Sequence, residues 1–157
     1  MNQFEQVQQF LDRCCPGLQP RLIEGTTATV ELAAQALGVE VGQIAKTLLF
    51  KAKNDYVMVV AAGDVRIDHH KLRGLVGSKT RLARPDEVRL ITGYSVGGVC
   101  PFNLKQPLRI LLDASMDRFP VVYAAAGTAN SALPITLPEL AQITAGEIVD
   151  VIFDREA

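Results

Sequence analysis

Apolar positions at the start of the chain follow a helical period. Phe4, Val7, Leu11 and Cys14 fall on one face, so residues 2–14 predict an amphipathic helix stopped by Pro16-Gly17. After a short extended piece at 21–24, Thr26 or Thr27 offers a cap for a second helix over 29–37, rich in Ala and Leu and ended by Gly38. The pattern then changes. Residues 44–52 and 56–62 are apolar β-type runs parted by Lys53-Asn54-Asp55, which predicts a hairpin. Asp68 caps a third helix that carries His69, His70, Lys71 and Leu72 and ends near Gly77, and a short strand follows at 79–82. Pro85 in the first helical position, with Asp86 and Glu87 behind it, opens a fourth helix that Gly93 stops. Residues 107–113 and 119–125 predict strands, with Asp113 capping a turn at 114–117. A strand at 135–137, a helix from Pro138 to about Thr144 and a closing strand at 147–152 complete the chain. About seven strands mixed with four or five short helices, some joined as hairpins, predict one α+β domain over 1–157 with a mixed, strongly curved sheet. The helix of residues 1–15 is expected as an appendage to it.

Composition narrows the class without changing this picture. With 48% hydrophobic and 21% charged residues the chain has an ordinary globular composition, and its 157 residues suffice to bury roughly 70% of the surface of the unfolded chain. The longest apolar run, 56–62, falls far short of the roughly 20 residues that span a bilayer. The amino terminus lacks the basic start and apolar centre of a signal peptide, so a cytoplasmic protein without membrane attachment is expected. Three cysteines, with Cys14 and Cys15 adjacent, make neither a disulfide framework nor a CxxC motif, and reduced thiols are expected. The net charge is −1, but residues 46–89 hold ten Lys and Arg against five acids. That basic third is either an ordinary solvated face or a local contact for a phosphate backbone.

The stretch of most chemical interest is Gly93-Tyr94-Ser95-Val96-Gly97-Gly98-Val99-Cys100-Pro101-Phe102. Its three glycines and one proline suit a loop whose main chain approaches a ligand closely, and they suit equally a tightly packed buried connection. Lys46 interrupts an otherwise apolar strand, either as a snorkelling edge lysine or as a point charge presented to a phosphate or carbonyl oxygen. Cys100 reads as a small residue before Pro101 or as a nucleophile needing a nearby base. His69 and His70 are adjacent on a helix and point about 100° apart, so they form no paired ligand set, and neither a metal nor an organic cofactor is expected. GxSxG and GxxxxGK[ST] motifs do not occur. A lysine, a backbone-lined loop and the small-residue turn 127–131 suit a reaction that needs orientation and oxyanion stabilisation more than a protein nucleophile.

Ile44-Ala45-Lys46-Thr47-Leu48-Leu49 followed by Gly93 to Pro101 resembles the YbaK/prolyl-tRNA-synthetase-associated editing domain family. The likeness runs from about Thr27 to Ile152 and takes in the Ala-Leu-Gly helix end and the Leu-Pro-Glu-Leu segment. It implies a free-standing aminoacyl-tRNA deacylase that hydrolyses the ester of a mischarged tRNA in trans, the expected substrates being tRNA(Pro) carrying Ala or Cys, or a tRNA carrying Ser or Thr. It implies a largely substrate-assisted reaction, with the tRNA 3′ end as partner and a synthetase as a further candidate partner. By the same likeness Lys46, Gly97 and Gly98 are the catalytic positions, and Val99, Cys100, Pro101, Gly127, Thr128 and Asn130 shape the substrate pocket. The chain departs from some members in reading Ala124-Ala125-Ala126-Gly127 where they carry Ser or His before the second loop. Thr128, Asn130 and Ser131 either replace that polar group or merely cap the turn. A catalytically silent aminoacyl-tRNA or nucleotide-binding module is the alternative.

Overall fold

Strands β2 (Ile44–Lys51) and β3 (Tyr56–Ala62) form the predicted hairpin, in register from Ala45 opposite Ala62 to Lys51 opposite Tyr56. In this computed structural model, which describes residues 1–154, β3 is buried along nearly its whole length. Its continuous apolar run follows from that, because both of its faces are covered. Met58 and Val60 enter the larger core cluster, whereas Val57 and Val59 enter a second cluster on the opposite face.

The remaining strands are β1 (Arg21–Leu22), β4 (Arg81–Leu82), β5 (Arg109–Asp113), β6 (Val122–Ala124), β7 (Ser131–Ile135) and β8 (Glu147–Val149). They assemble in the order β1-β7-β6-β2-β3-β5-β8, with β4 paired to β2 beside that path. β2 runs parallel to β6, and β5 runs parallel to both β3 and β8, while the other pairs are antiparallel. The sheet is therefore mixed, as predicted, and it is open rather than closed on itself.

Five α-helices flank it: α1 (Gln3–Cys14), α2 (Val30–Leu37), α3 (His69–Val76), α4 (Pro85–Thr92) and α5 (Leu137–Thr144). Phe4, Val7 and Leu11 of α1, Val88 of α4 and Leu140 of α5 fill one face of the sheet, and Leu72 of α3 with Val151 fills the other. The helix expected as an appendage thus supplies three members of the main core. Asp68, Pro85, Gly93 and Asp113 occupy their predicted capping and terminating positions.

The strands expected at 79–82, 107–113, 119–125 and 147–152 are shorter than expected, at Arg81–Leu82, Arg109–Asp113, Val122–Ala124 and Glu147–Val149, and two further differences lie near the second loop. The cap of α2 is Thr29, whose hydroxyl accepts from the Leu32 amide at 3.2 Å. Thr26 and Thr27 instead donate their hydroxyls to the carbonyls of Ala129 and Ser131, tying this segment to the second loop. The strand expected at 135–137 lies earlier, as β7 from Ser131 through Pro134 to Ile135, and Leu137 already opens α5. Since β1 covers only Ser131 and Ala132, one edge of β7 is unpaired at Pro134, where a missing N–H is tolerated.

Candidate active site

The sheet splits beside Lys46. On the edge away from β3, β6 pairs with β2 only at Ile44 and Ala45, and β4 pairs with it only at Phe50 and Lys51. A cavity of about 220 Å³ opens at this gap, walled by β2 from Ile44 to Leu48, by the start of α2, and by Val96, Gly97 and Val99 of the glycine-rich loop. Its surface is mostly apolar, with Ala28, Val30 and Ala33 facing Ala124 and Ala125.

Lys46 is half-buried in the wall and donates its Nζ proton to the carbonyl of Val65. Burial holds its pKa below the usual lysine value, and the carboxylates of Asp64 and Glu31 pull in the opposite direction. The side chain is thus a partly desolvated cation at an apolar cavity, where its field is screened less than in bulk water.

The glycine-rich loop is pinned from within. Gly93 ends α4 in the left-handed conformation, and the buried Tyr94 folds back so that its hydroxyl donates to the Phe102 carbonyl at 2.5 Å. Val96–Gly98 form a single 3-10 turn, closed by the Gly98 amide on the Ser95 carbonyl at 2.9 Å. A Cβ placed on Gly98 would lie 2.7 Å from both Cα and N of Thr128, so the two small-residue loops touch backbone to backbone. Gly127 has a φ of +96° and packs beneath α1, against the Gln3 carbonyl and Val7, and beside the Tyr94 ring.

The residues expected at the site therefore fall in three layers. Lys46, Gly97 and Val99 line the cavity. Gly98, Gly127 and Thr128 stand behind them and set the separation of the two loops. Cys100 and Pro101 are buried in the core beneath the loop, and Asn130 is exposed, its carbonyl accepting from the Ile23 amide at 2.8 Å. Cys100 is fully buried, and burial pushes its thiol up to about 12, so it rests as a thiol. His69 packs edge-on against Phe50, a member of the cluster on the other face of the sheet from Cys100. The Ser131 hydroxyl accepts from the Ala126 amide at 3.0 Å and donates to the Thr128 carbonyl at 2.9 Å, and so caps the turn.

Sequence patterning missed the α2 wall, Tyr123 and Asp64. Val30 and Ala33 read as ordinary members of the helix expected over 29–37, and Ala28 carries no distinguishing pattern.

The model of the aminoacyl-tRNA editing domain matches residues 24–143. The uncharacterized protein YwhH of Bacillus subtilis is 43% identical over 135 residues, covering 85% of this chain and 86% of that protein. Proline–tRNA ligase of Thermosipho melanesiensis is 34% identical over 86 residues, 54% of this chain but 15% of the ligase. A crystal structure of a proposed trans-editing enzyme for prolyl tRNA synthetase superposes with a TM-score of 0.91 at 34% identity, covering 98% of this chain and 99% of that one.

Proposed function

The chain belongs to the aminoacyl-tRNA editing domain family, and from that premise we propose that it is a trans-acting deacylase, hydrolysing the ester that joins a wrong amino acid to the 3′ end of a tRNA. One observation carries the reading. A half-buried lysine and a glycine-rich main chain line one small apolar cavity, among whose described lining residues there is no histidine, cysteine or carboxylate.

The small aminoacyl group occupies the cavity, and the terminal adenosine remains at its mouth. The Lys46 ammonium meets the ester carbonyl or the terminal phosphate, and the backbone at Gly97 holds the ester in place. Water adds to the carbonyl carbon, the bond to the ribose oxygen breaks, and that oxygen takes up a proton, leaving free amino acid and tRNA. A ribose hydroxyl of the substrate carries the proton, in keeping with a substrate-assisted reaction. Preorganised charge at the developing oxyanion and restriction of the ester's motion are the two sources of rate.

The volume and apolar lining suit a short side chain, with Ala and Cys on tRNA(Pro), or Ser and Thr on their competing tRNAs, as the substrates to compare. An apolar pocket discriminates by about 1–3 kcal/mol per methylene, so the ranking must be measured. The experiment is single-turnover deacylation of tRNA(Pro) charged with each of the four amino acids, by wild type and Lys46→Ala. Lys46→Ala is expected to lose about 100-fold or more in rate while thermal unfolding changes little. Equal rates in the two proteins would remove the lysine from the mechanism. Binding of a nonhydrolysable aminoacyl-adenosine without turnover on any charged tRNA would favour a silent binding module.

A further inference from the structure

Lys46 does not stand alone on its wall. The carbonyl that receives its ammonium, Val65, ends a turn that follows β3, Gly63-Asp64-Val65. That turn is clamped at several points. Arg118, in the 3-10 segment Ala114–Arg118, donates to both carboxylate oxygens of Asp64, at 2.6 and 3.1 Å, and donates again to the Ser115 carbonyl at 2.7 Å. The guanidinium also lies 4.9 Å over the ring of Phe119. From the other side, Gly42 presses on the same pair of groups. A Cβ there would come within 2.9 Å of an Asp64 oxygen and of the Phe119 ring. A Cβ on Gly63 would collide with the Val41 carbonyl, so the turn is closely packed against the segment just before β2.

The charged groups around Lys46 are few. Asp64 on this turn and Glu31 on α2 both favour its protonated form, and Tyr123 of β6 shares the cavity wall. Arg118 is tied to this turn through Asp64. Both members of the Asp64–Arg118 pair are about one-third exposed, which makes the pair a weak source of global stability. Its location is better explained by what it holds.

We infer that Asp64 and Arg118 are a positioning pair for Lys46: the pair fixes the turn whose carbonyl receives the ammonium and supplies a partly neutralised counter-charge beside it. This rests on the deacylase reading for its consequence in catalysis, but not for its effect on the lysine. Asp64 without Arg118 would offer a full negative charge and draw Nζ toward the carboxylate. Arg118 without Asp64 would leave a second cation near the first. The paired arrangement holds Nζ on a neutral carbonyl, charged and free to reorient toward substrate.

The two halves of the pair are therefore expected to act on Lys46 in opposite directions. With ¹³Cε-labelled lysine, and Lys46→Ala to assign the resonance, the titration of Lys46 is expected to move to lower pH in Asp64→Asn and to higher pH in Arg118→Ala. The alkaline limb of single-turnover deacylation should follow each shift. Arg118→Ala should also slow deacylation by roughly 10- to 100-fold through misplacement, with part of the rate restored in Arg118→Lys, which keeps the charge. A purely structural role would move both titrations the same way or neither. If the Lys46 resonance titrates as in wild type in Asp64→Asn and in Arg118→Ala, the inference is overturned. If it shifts in opposite directions while the alkaline limb stays fixed, the positioning pair stands and the catalytic role of Lys46 fails. Because the resonance is read without substrate, it decides the inference even for a protein that deacylates nothing.

Discussion

Replacing Gly98 by alanine adds one methyl group where the structure has no room for it. The new Cβ would lie 2.7 Å from Cα and N of Thr128 and 2.8 Å from the Gly127 carbonyl carbon, where ordinary contact begins at 3.4 Å, a deficit of about 0.7 Å. All three atoms belong to the backbone, so no side chain can swing aside. Gly98 is outside the left-handed region, which means alanine could adopt its backbone angles and the penalty is one of contact alone. Overpacking of this kind costs roughly 1–3 kcal/mol, equivalent to a fall in Tm of roughly 2–12 °C for a domain of this size. The relief available is to part the two loops, which moves Gly97 and Val99 along the cavity wall. A shift approaching 1 Å there is expected to slow the reaction about 100-fold. Gly97→Ala is the matched comparison. Its Cβ would meet the methyl groups of Ala28 and Ala129, both at 3.3 Å, and the Ala28 Cα at an ordinary 3.5 Å, so a displacement of about a tenth of an ångström suffices and Tm should fall less. Differential scanning calorimetry and single-turnover deacylation on the same preparations provide both readouts. A Gly98→Ala protein with wild-type Tm and rate, or one more stable than Gly97→Ala, would refute the backbone contact between the loops.

Two further expectations concern groups away from the cavity wall. Glu87 is buried and accepts from Arg81, the Arg84 amide and the Tyr56 hydroxyl, and these donors, Arg81 foremost, hold its carboxyl well below the ordinary 4.5. Its contribution to stability is therefore complete above pH 4.5 and is lost progressively as the pH falls below that value; Glu87→Gln should flatten the acid limb of Tm against pH, and an unchanged limb would count against the assignment. Cys100 should resist iodoacetamide in the folded protein while the exposed Cys14 reacts, as read by peptide mass spectrometry, and Cys100→Ser should retain deacylation; a large loss of rate with an intact fold would restore a chemical role for the thiol.

Features determined locally were legible from the chain alone. The β2–β3 hairpin, Asp68 and Asp113 as caps and Gly93 as a stop depend on residues within a few positions of one another, and each stands where patterning put it. Thr29 was passed over for Thr26 and Thr27 because those two hydroxyls are engaged by carbonyls about one hundred positions further along the chain, which no local rule can register. Pro134 had the same effect on β7, since a proline signals a strand's end unless one edge is known to be free. Within the site, Lys46 stood out as a charge in an apolar strand and the glycine-rich loop stood out by composition. Cys100 and Pro101 share that composition but turn inward, a distinction that depends on tertiary packing. Asp64 gave no signal, because Gly63-Asp64 has the sequence of any surface turn.

The span that the editing-domain model matches, residues 24–143, is not the whole of the span that holds the cavity in shape. Val7 and Leu11 of α1 are fully buried, the Gln3 side chain donates to the Gly93 carbonyl, and the same helix covers Gly127. Val151 enters the cluster on the other face of the sheet, and Ile152 enters the main core. Grafting the matched segment alone into another protein would carry over the lysine and both glycine loops but leave the face at Gly127 bare to water, so any host must bring a substitute for the helix that lies outside the matched segment.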